Sequence, residues 1–383
     1  MTKKIFVGLL ILFFLSFFSY KTNAQSSTNL PSPKQEFYKA VVVEIAEQGE
    51  TEIENYKSYY QVLKVKISEG PEKGNLKTIE NGKQFRINKN QLLIQGQEII
   101  VAKVTYPNNQ TIYSVYDFYR LNMLAIFLII FFIAVLLVGG KKGLGSTLGM
   151  LISLFVILTF IVPFILKGYD PLTITIIGSM IIILTTTYLA HGVSQKTTIA
   201  LISTVVSLIF TAGFALLAIQ LSSITGLGNE EAYSLQLGPT SIIDIRGLFL
   251  SGIIITTLGA LNDITTTQSA TVYELRQANQ KLTFIQLFEK GLSVGKEHIA
   301  SLVNTLILAY VGSAFAVFIF LVLNPGHLPY WVILNNEIIS DEIIKIISGS
   351  MGLLLSVPIV TLIAAYWFGG REIKEIKKQS QNH

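Results

Sequence analysis

Cysteine is absent from all 383 residues. That removes disulfides, thiolate metal sites and cysteine nucleophiles from consideration. Charge is scarce as well, at 14% of the chain against about 25% in an ordinary soluble domain. A chain this poor in charge and 51% hydrophobic is expected to expose much of its surface to lipid. The four histidines, at 191, 298, 327 and 383, are scattered. No H-E-x-x-H and no G-x-S-x-G occurs, so metal hydrolysis and a serine elbow have little support. "GGKKGLGSTLG" (139–149) lacks the G-x-x-x-x-G-K-[ST] order of a phosphate loop and reads as a tight, positively anchored turn. No enzyme activity, cofactor or metal is therefore expected.

The net charge of +5 is not a nucleic-acid footprint. Residues 25–118 carry eleven basic and eleven acidic side chains and so cancel. The excess sits at the N-terminus and in short segments beside apolar runs, which suits an orientation code for a bilayer rather than a phosphate-binding stripe.

At the start, Lys3 and Lys4 precede "IFVGLLILFFLSFF", and Thr22 and Ala24 stand at cleavage spacing. This pattern predicts a signal peptide over 1–24, with a retained anchor as the alternative. Either way the next segment is exported. From Tyr38 to Tyr119 apolar residues alternate in short runs such as "YKAVVVEIAE" and "QEIIVAKVTY", separated by "EGPEKGN", "ENGK" and "YPNNQ". Five or six strands in that length predict a small closed β-barrel, OB-like, as an extracytoplasmic domain over 25–119.

The remainder reads as an α-helical transmembrane bundle over 120–370. About seven spans are expected, at roughly 121–138, 147–166, 172–190, 199–221, 246–267, 299–323 and 343–368. With the β-domain outside, eleven basic residues fall in inside segments against three in the outside loops after the first span. That asymmetry predicts a cytoplasmic-membrane protein with its basic tail, 371–383, inside. Residues 268–298 read as either an amphipathic cytoplasmic hairpin or a partly re-entrant segment. Pro163 and Pro358 predict bends, and Ser203, Ser207 and Thr211, four apart, predict a close helix–helix seam.

One stretch departs from the apolar pattern. "GALNDITTTQSATVYEL" (259–275) continues the fifth span but carries Asn262, Asp263, three threonines and Glu274. On one helix, Thr256, Gly259, Asp263, Thr267, Ala270 and Glu274 share a face, with Asn262 and Thr266 beside it. A central carboxylate costs roughly 2.5–3.5 kcal/mol to insert, so such residues normally face a bundle interior or a wet cavity. On the next span Glu297, Ser301, Asn304, Thr305 and Leu308 share a face. The two strips could enclose a hydrated vestibule, with His298 as a nearby proton-exchanging group. The candidate transport or ion-binding residues are thus Asp263, Asn262, Glu297, Asn304, Thr267, Glu274 and His298. The alternative is that Asp263 marks where the helix leaves the membrane and Asn304 is interhelical glue.

At these strips the chain resembles the YibE/F family of multi-pass membrane proteins. The resemblance is carried by Gly259-Ala260-Leu261-Asn262-Asp263 with Glu274-Leu275, then Gly291, Gly295, Lys296 and Glu297, then "NTLILAYVG" (304–312). It covers most of the chain after the signal and implies an exported β-domain followed by a membrane domain. "ITTTQSATVYEL" departs from the text usual in relatives, so the hydroxyl row is not a family feature. The resemblance implies no biochemical activity. The Asn-Asp helix is also loosely similar to the proton-coupled segments of RND-type pumps, a short pattern only.

The expected function is a permease or transport component handling an unknown small solute or ion, with the β-domain gating the outside mouth or docking an envelope protein. A membrane scaffold or sensor without transport is the alternative.

Overall fold

The computed structural model describes residues 33–53, 56–238, 242–324 and 326–369, apart from the side chain of Lys141. The expected signal peptide and basic tail lie outside the described residues. The chain divides into two compact units, one ending at Ala134 and the other starting at Val135.

The first unit holds five antiparallel strands among the described residues: β1 (Lys34–Ile53), β2 (Tyr56–Ile67), β3 (Leu76–Asn81), β4 (Glu98–Thr105) and β5 (Thr111–Phe118), in the order β3-β2-β1-β4-β5. Alternation places Ala40, Val42, Leu63, Val65, Ile79, Ile99 and Val101 on one buried face. The loop after β3 is stitched across the end of that core by two buried polar side chains. Ser58 accepts from Ile87 N at 3.0 Å, and Gln61 both donates to Leu93 O and accepts from Leu93 N. Gly82 opens this loop at φ +85°, where an added Cβ would strike the Tyr59 carbonyl.

The closed barrel expected from the sequence is not formed. No ladder joins β3 to β5 among the described residues, so the sheet stays open. β3 has only six residues, and side chains rather than backbone bonds tie the edge strand β5 back to the β2–β3 turn. Glu72 in that turn accepts from Lys103 Nζ at 2.5 Å and from Tyr113 OH at 2.8 Å, and Lys77 Nζ sits 4.5 Å from the Tyr113 ring centroid. Charged side chains at open edges also discourage pairing with another chain. In the same cluster Glu36 accepts from Lys34 at 2.6 Å and Tyr38 OH at 2.9 Å. These bonds, that of Lys34 first, lower the Glu36 pKa from 4.5 to about 2.

Helices follow: α1 (Leu121–Val156), α2 (Val162–Leu166), α3 (Pro171–His191), α4 (Gln195–Leu221), α5 (Glu230–Leu237), α6 (Ile245–Ala278), α7 (Phe284–Ser313), α8 (Phe315–Leu323), α9 (Tyr330–Leu334) and α10 (Glu337–Gly369). Gly140, at φ 53° and ψ −131°, breaks α1 into two apolar segments. A π-helical turn, Ile157–Ile161, separates α1 from α2 just before Pro163. Such a turn relieves the clash of a proline ring with the preceding carbonyls. Side-chain caps fix several starts: Asp170 for α3, Ser194 with Thr197 for α4, Asp244 for α6 and Thr283 with Gln286 for α7.

Six of the described helices are long and apolar enough to cross a bilayer, or seven if the bent pair α7–α8 counts as one. Here the structure differs from the expected sixth span. The helix begins at Phe284, not near 299, and turns by 65° at Ala314. Residues 268–298 extend α6 and start α7. Their connection is held by Arg276 donating to Leu282 O at 2.7 Å.

The helical core centres on α6, which packs against α3, α4, α7 and α10. Ile253, Ile254, Leu261, Leu353 and Val357 are fully enclosed there. The Ser203–Ser207–Thr211 line is buried, and Gly352 of α10 lies so close that an added Cβ would overlap Thr211. Small and back-bonded residues thus bring α4 and α10 together.

Candidate functional site

Polar side chains along α6 have two fates. One group, buried apart from the half-buried Asn262, fastens α6 to its neighbours. Asn262 Oδ1 accepts from Thr187 of α3 at 2.7 Å, Thr265 shares a 2.6 Å bond with Thr204 of α4, and Ser269 donates to Lys196 O at 2.8 Å. Gln268, only 1% exposed, donates through Nε2 to Gly291 O at 2.7 Å and Thr361 Oγ1 at 2.8 Å. One amide therefore joins α6, α7 and α10. Each bond satisfies a group that apolar surroundings would otherwise leave unpaired.

The second group lines open space. Asp263 is exposed and borders two cavities. One, of about 650 Å³, is bounded by α1, α3 and α6 and carries Lys142, Ser146, Ser153, His191, Asn262 and Asp263. The other, of about 310 Å³, lies between α6 and α7 and is lined by Asp263, Ile264, Thr267, Gln268, His298, Ser301 and Leu302. A third, about 680 Å³, runs along the C-terminal part of α6 past His191, Thr266, Thr267, Thr271 and Glu274. Asp263, Thr267 and His191 each border two of the three. His191 is also near enough to act electrostatically on Asp263. Glu274 is exposed, with Lys196 at 3.7 Å.

Of the seven residues singled out from the sequence, Asp263, Asn262, Thr267, Glu274 and His298 thus border one or more of these three neighbouring cavities. Glu297 and Asn304 are exposed and border none of the three. His191 and Lys142 were not among the candidates. His191 closes α3, some 70 positions before Asp263 in sequence, and no local pattern relates the two. Only the packing of α3 on α6 does.

Residues 127–370 match the model of the YibE/F-like protein family. The chain belongs to that family. The match spans the helical unit and includes every residue bordering the cavities. No curated protein and no solved structure matches the chain.

A second acidic feature of this family member lies at the other end of the bundle. Glu337, which opens α10, accepts from Thr225 N at 2.7 Å, Thr225 Oγ1 at 2.6 Å and Gly226 N at 2.9 Å. It clamps the loop after α4 through consecutive backbone donors, an anion-holding arrangement. Asp341, one turn further, is 3% exposed, and its Oδ1 has no hydrogen-bond partner among the described residues. A Cβ added at Gly228 would strike the Asp341 carboxylate.

Proposed function

We propose that this YibE/F-like protein is a permease or transport component of the cytoplasmic membrane, moving a small solute or ion along the cavities that meet at Asp263. The observation that carries this reading is the position of that carboxylate between the α1–α3–α6 cavity and the α6–α7 cavity. A side chain bordering two separate spaces can exchange a proton or cation with either as the helices shift. Asn262, Thr267 and His298 offer polar contacts along the way, and His191 offers a second proton-exchanging group. Glu297 and Glu274 then stand near the inside openings, with Asn304 deeper on α7. In this reading the β-domain lies outside and gates the mouth or docks an envelope partner.

The test starts from an untargeted comparison of solutes accumulated by cells with the protein, without it, and with Asp263→Asn. A solute whose level follows the wild-type protein is then used for flux into proteoliposomes. Loss of flux with Asp263→Asn, in protein that retains its helical content, is the expected result. Undiminished flux would reject the role of Asp263.

The scaffold or sensor reading is favoured by a different observation. The β unit exposes Phe37 and Tyr116, packed edge to face with centroids 4.8 Å apart. A partner docked there would be lost with Phe37→Ser while flux stayed intact.

A further inference from the structure

The helix α7 has two unlike faces. Leu287, Gly291, Gly295 and Tyr310 are buried. Added Cβ atoms at Gly291 and Gly295 would run into Thr361 and Val357 of α10, so this line is where α7 is seated. The opposite line, through Glu297, Asn304, Thr305, Leu308 and Gly312, is exposed. Thr305 bonds back to Ser301 O at 2.9 Å, whereas the Glu297 and Asn304 side chains have no hydrogen-bond partner among the described residues.

Asn304 is not at the end of the bundle. Leu306, half a turn along, reaches to 3.2 Å from the Cβ position of Gly349, well inside the apolar stretch of α10. An amide at that depth, facing hydrocarbon, would have no group to bond. The lipid-facing side of α4 makes the contrast, being built from exposed Ile202, Ile209, Phe210, Leu216 and Leu217. The α7 line is polar where that side is apolar.

We infer that this face of α7 is an interface between two copies of the chain, with Asn304 at its centre. A twofold axis along the membrane normal would set the two α7 helices side by side and parallel. Asn carries both a carbonyl acceptor and an amide donor, so each Asn304 satisfies the other, as a buried Asn does in parallel coiled coils. Gly312 has nothing within 4 Å of its Cβ position, which leaves room for a second backbone. This inference is independent of transport and holds equally for a scaffold.

The absence of cysteine makes the test direct. Leu308→Cys and Thr305→Cys leave Asn304 in place, and Ile209→Cys on α4 serves as the control. Oxidation in native membranes with copper phenanthroline is expected to yield a band of twice the 42.3 kDa chain mass for the two α7 variants and little for the control. Asn304→Leu, examined by native mass spectrometry beside wild type, is expected to convert a two-copy particle into single copies. Equal dimer yield at all three cysteines, a cross-link to a different polypeptide, or a wild-type particle holding one copy would overturn the inference.

Discussion

Gly295 is where adding one methyl group should be felt most clearly. It sits on α7 with its Cβ position against Val357 Cγ1, 2.9 Å from Gln268 Nε2 and 3.1 Å from Gln268 Cδ. Neither neighbour can swing aside. Val357 is β-branched and fully buried, and Gln268 is pinned by its bonds to Gly291 and Thr361. Gly295→Ala must therefore push α7 outward or break the amide bridge, and overpacking of this kind costs about 1–3 kcal/mol. The helix gains about 0.5–1 kcal/mol from replacing glycine with alanine, leaving a net loss of up to about 2.5 kcal/mol. Gly213→Ala on α4 is the matched control, since nothing lies within 4 Å of its Cβ position. That variant should hold or raise stability by up to about 1 kcal/mol. Both trp residues, Trp331 and Trp367, lie in the helical unit, so tryptophan fluorescence during denaturant unfolding in detergent micelles reads the right part of the chain. A Gly295→Ala midpoint equal to or above that of Gly213→Ala would refute the close α7–α10 seating.

Two further outcomes follow from charge placement. Glu36 titrates at about 2 in the folded β unit against 4.5 for an unconstrained glutamate, so its ionised form favours folding above pH 4.5. That contribution fades as pH falls through the window from 4.5 towards 2. Hydrogen exchange of the β1 and β4 amides should be faster in Glu36→Gln than in wild type at pH 6, with the difference shrinking across that window; a constant difference would contradict the linkage. At the other acidic site, Glu337→Ala leaves the Thr225, Gly226 and Leu227 amides without their acceptor. It should cost about 1–3 kcal/mol and speed exchange in the loop after α4, whereas unchanged exchange there would show that the clamp does not hold the loop.

Much of the architecture is legible in single segments of sequence. Apolar runs of bilayer length, the Ser194/Thr197 and Thr283/Gln286 caps and the alternation of Ala40 and Val42 are local patterns, and local geometry follows from them. The polar row on α6 is equally visible, since helical period alone puts Asp263 and Thr267 on neighbouring turns. Closure of the β sheet was less legible. It depends on whether β3 and β5 meet in register, and the Glu72, Lys103 and Tyr113 side chains that join the edges come from three separate segments. The 65° turn at Ala314 follows Gly312-Ser313, a pair that weakens a helix, inside an otherwise apolar run, but that pair alone does not say how far the chain turns there.

Periodicity decided which residues of α7 stand in line with one another: Glu297 with Asn304 and Leu308, and Gly291 with Gly295. Which line would meet the bundle is not written in that spacing, because a helix can be rotated about its own axis without changing any local interaction. Tertiary packing chose. The two glycines admit Val357, Thr361 and Gln268 at close range, and that contact turns the Asn304 line outward while setting His298 and Ser301 beside Asp263. A separate contact, α3 on α6, brings His191 close to that carboxylate, a meeting of distant segments that depends on how whole helices fit together.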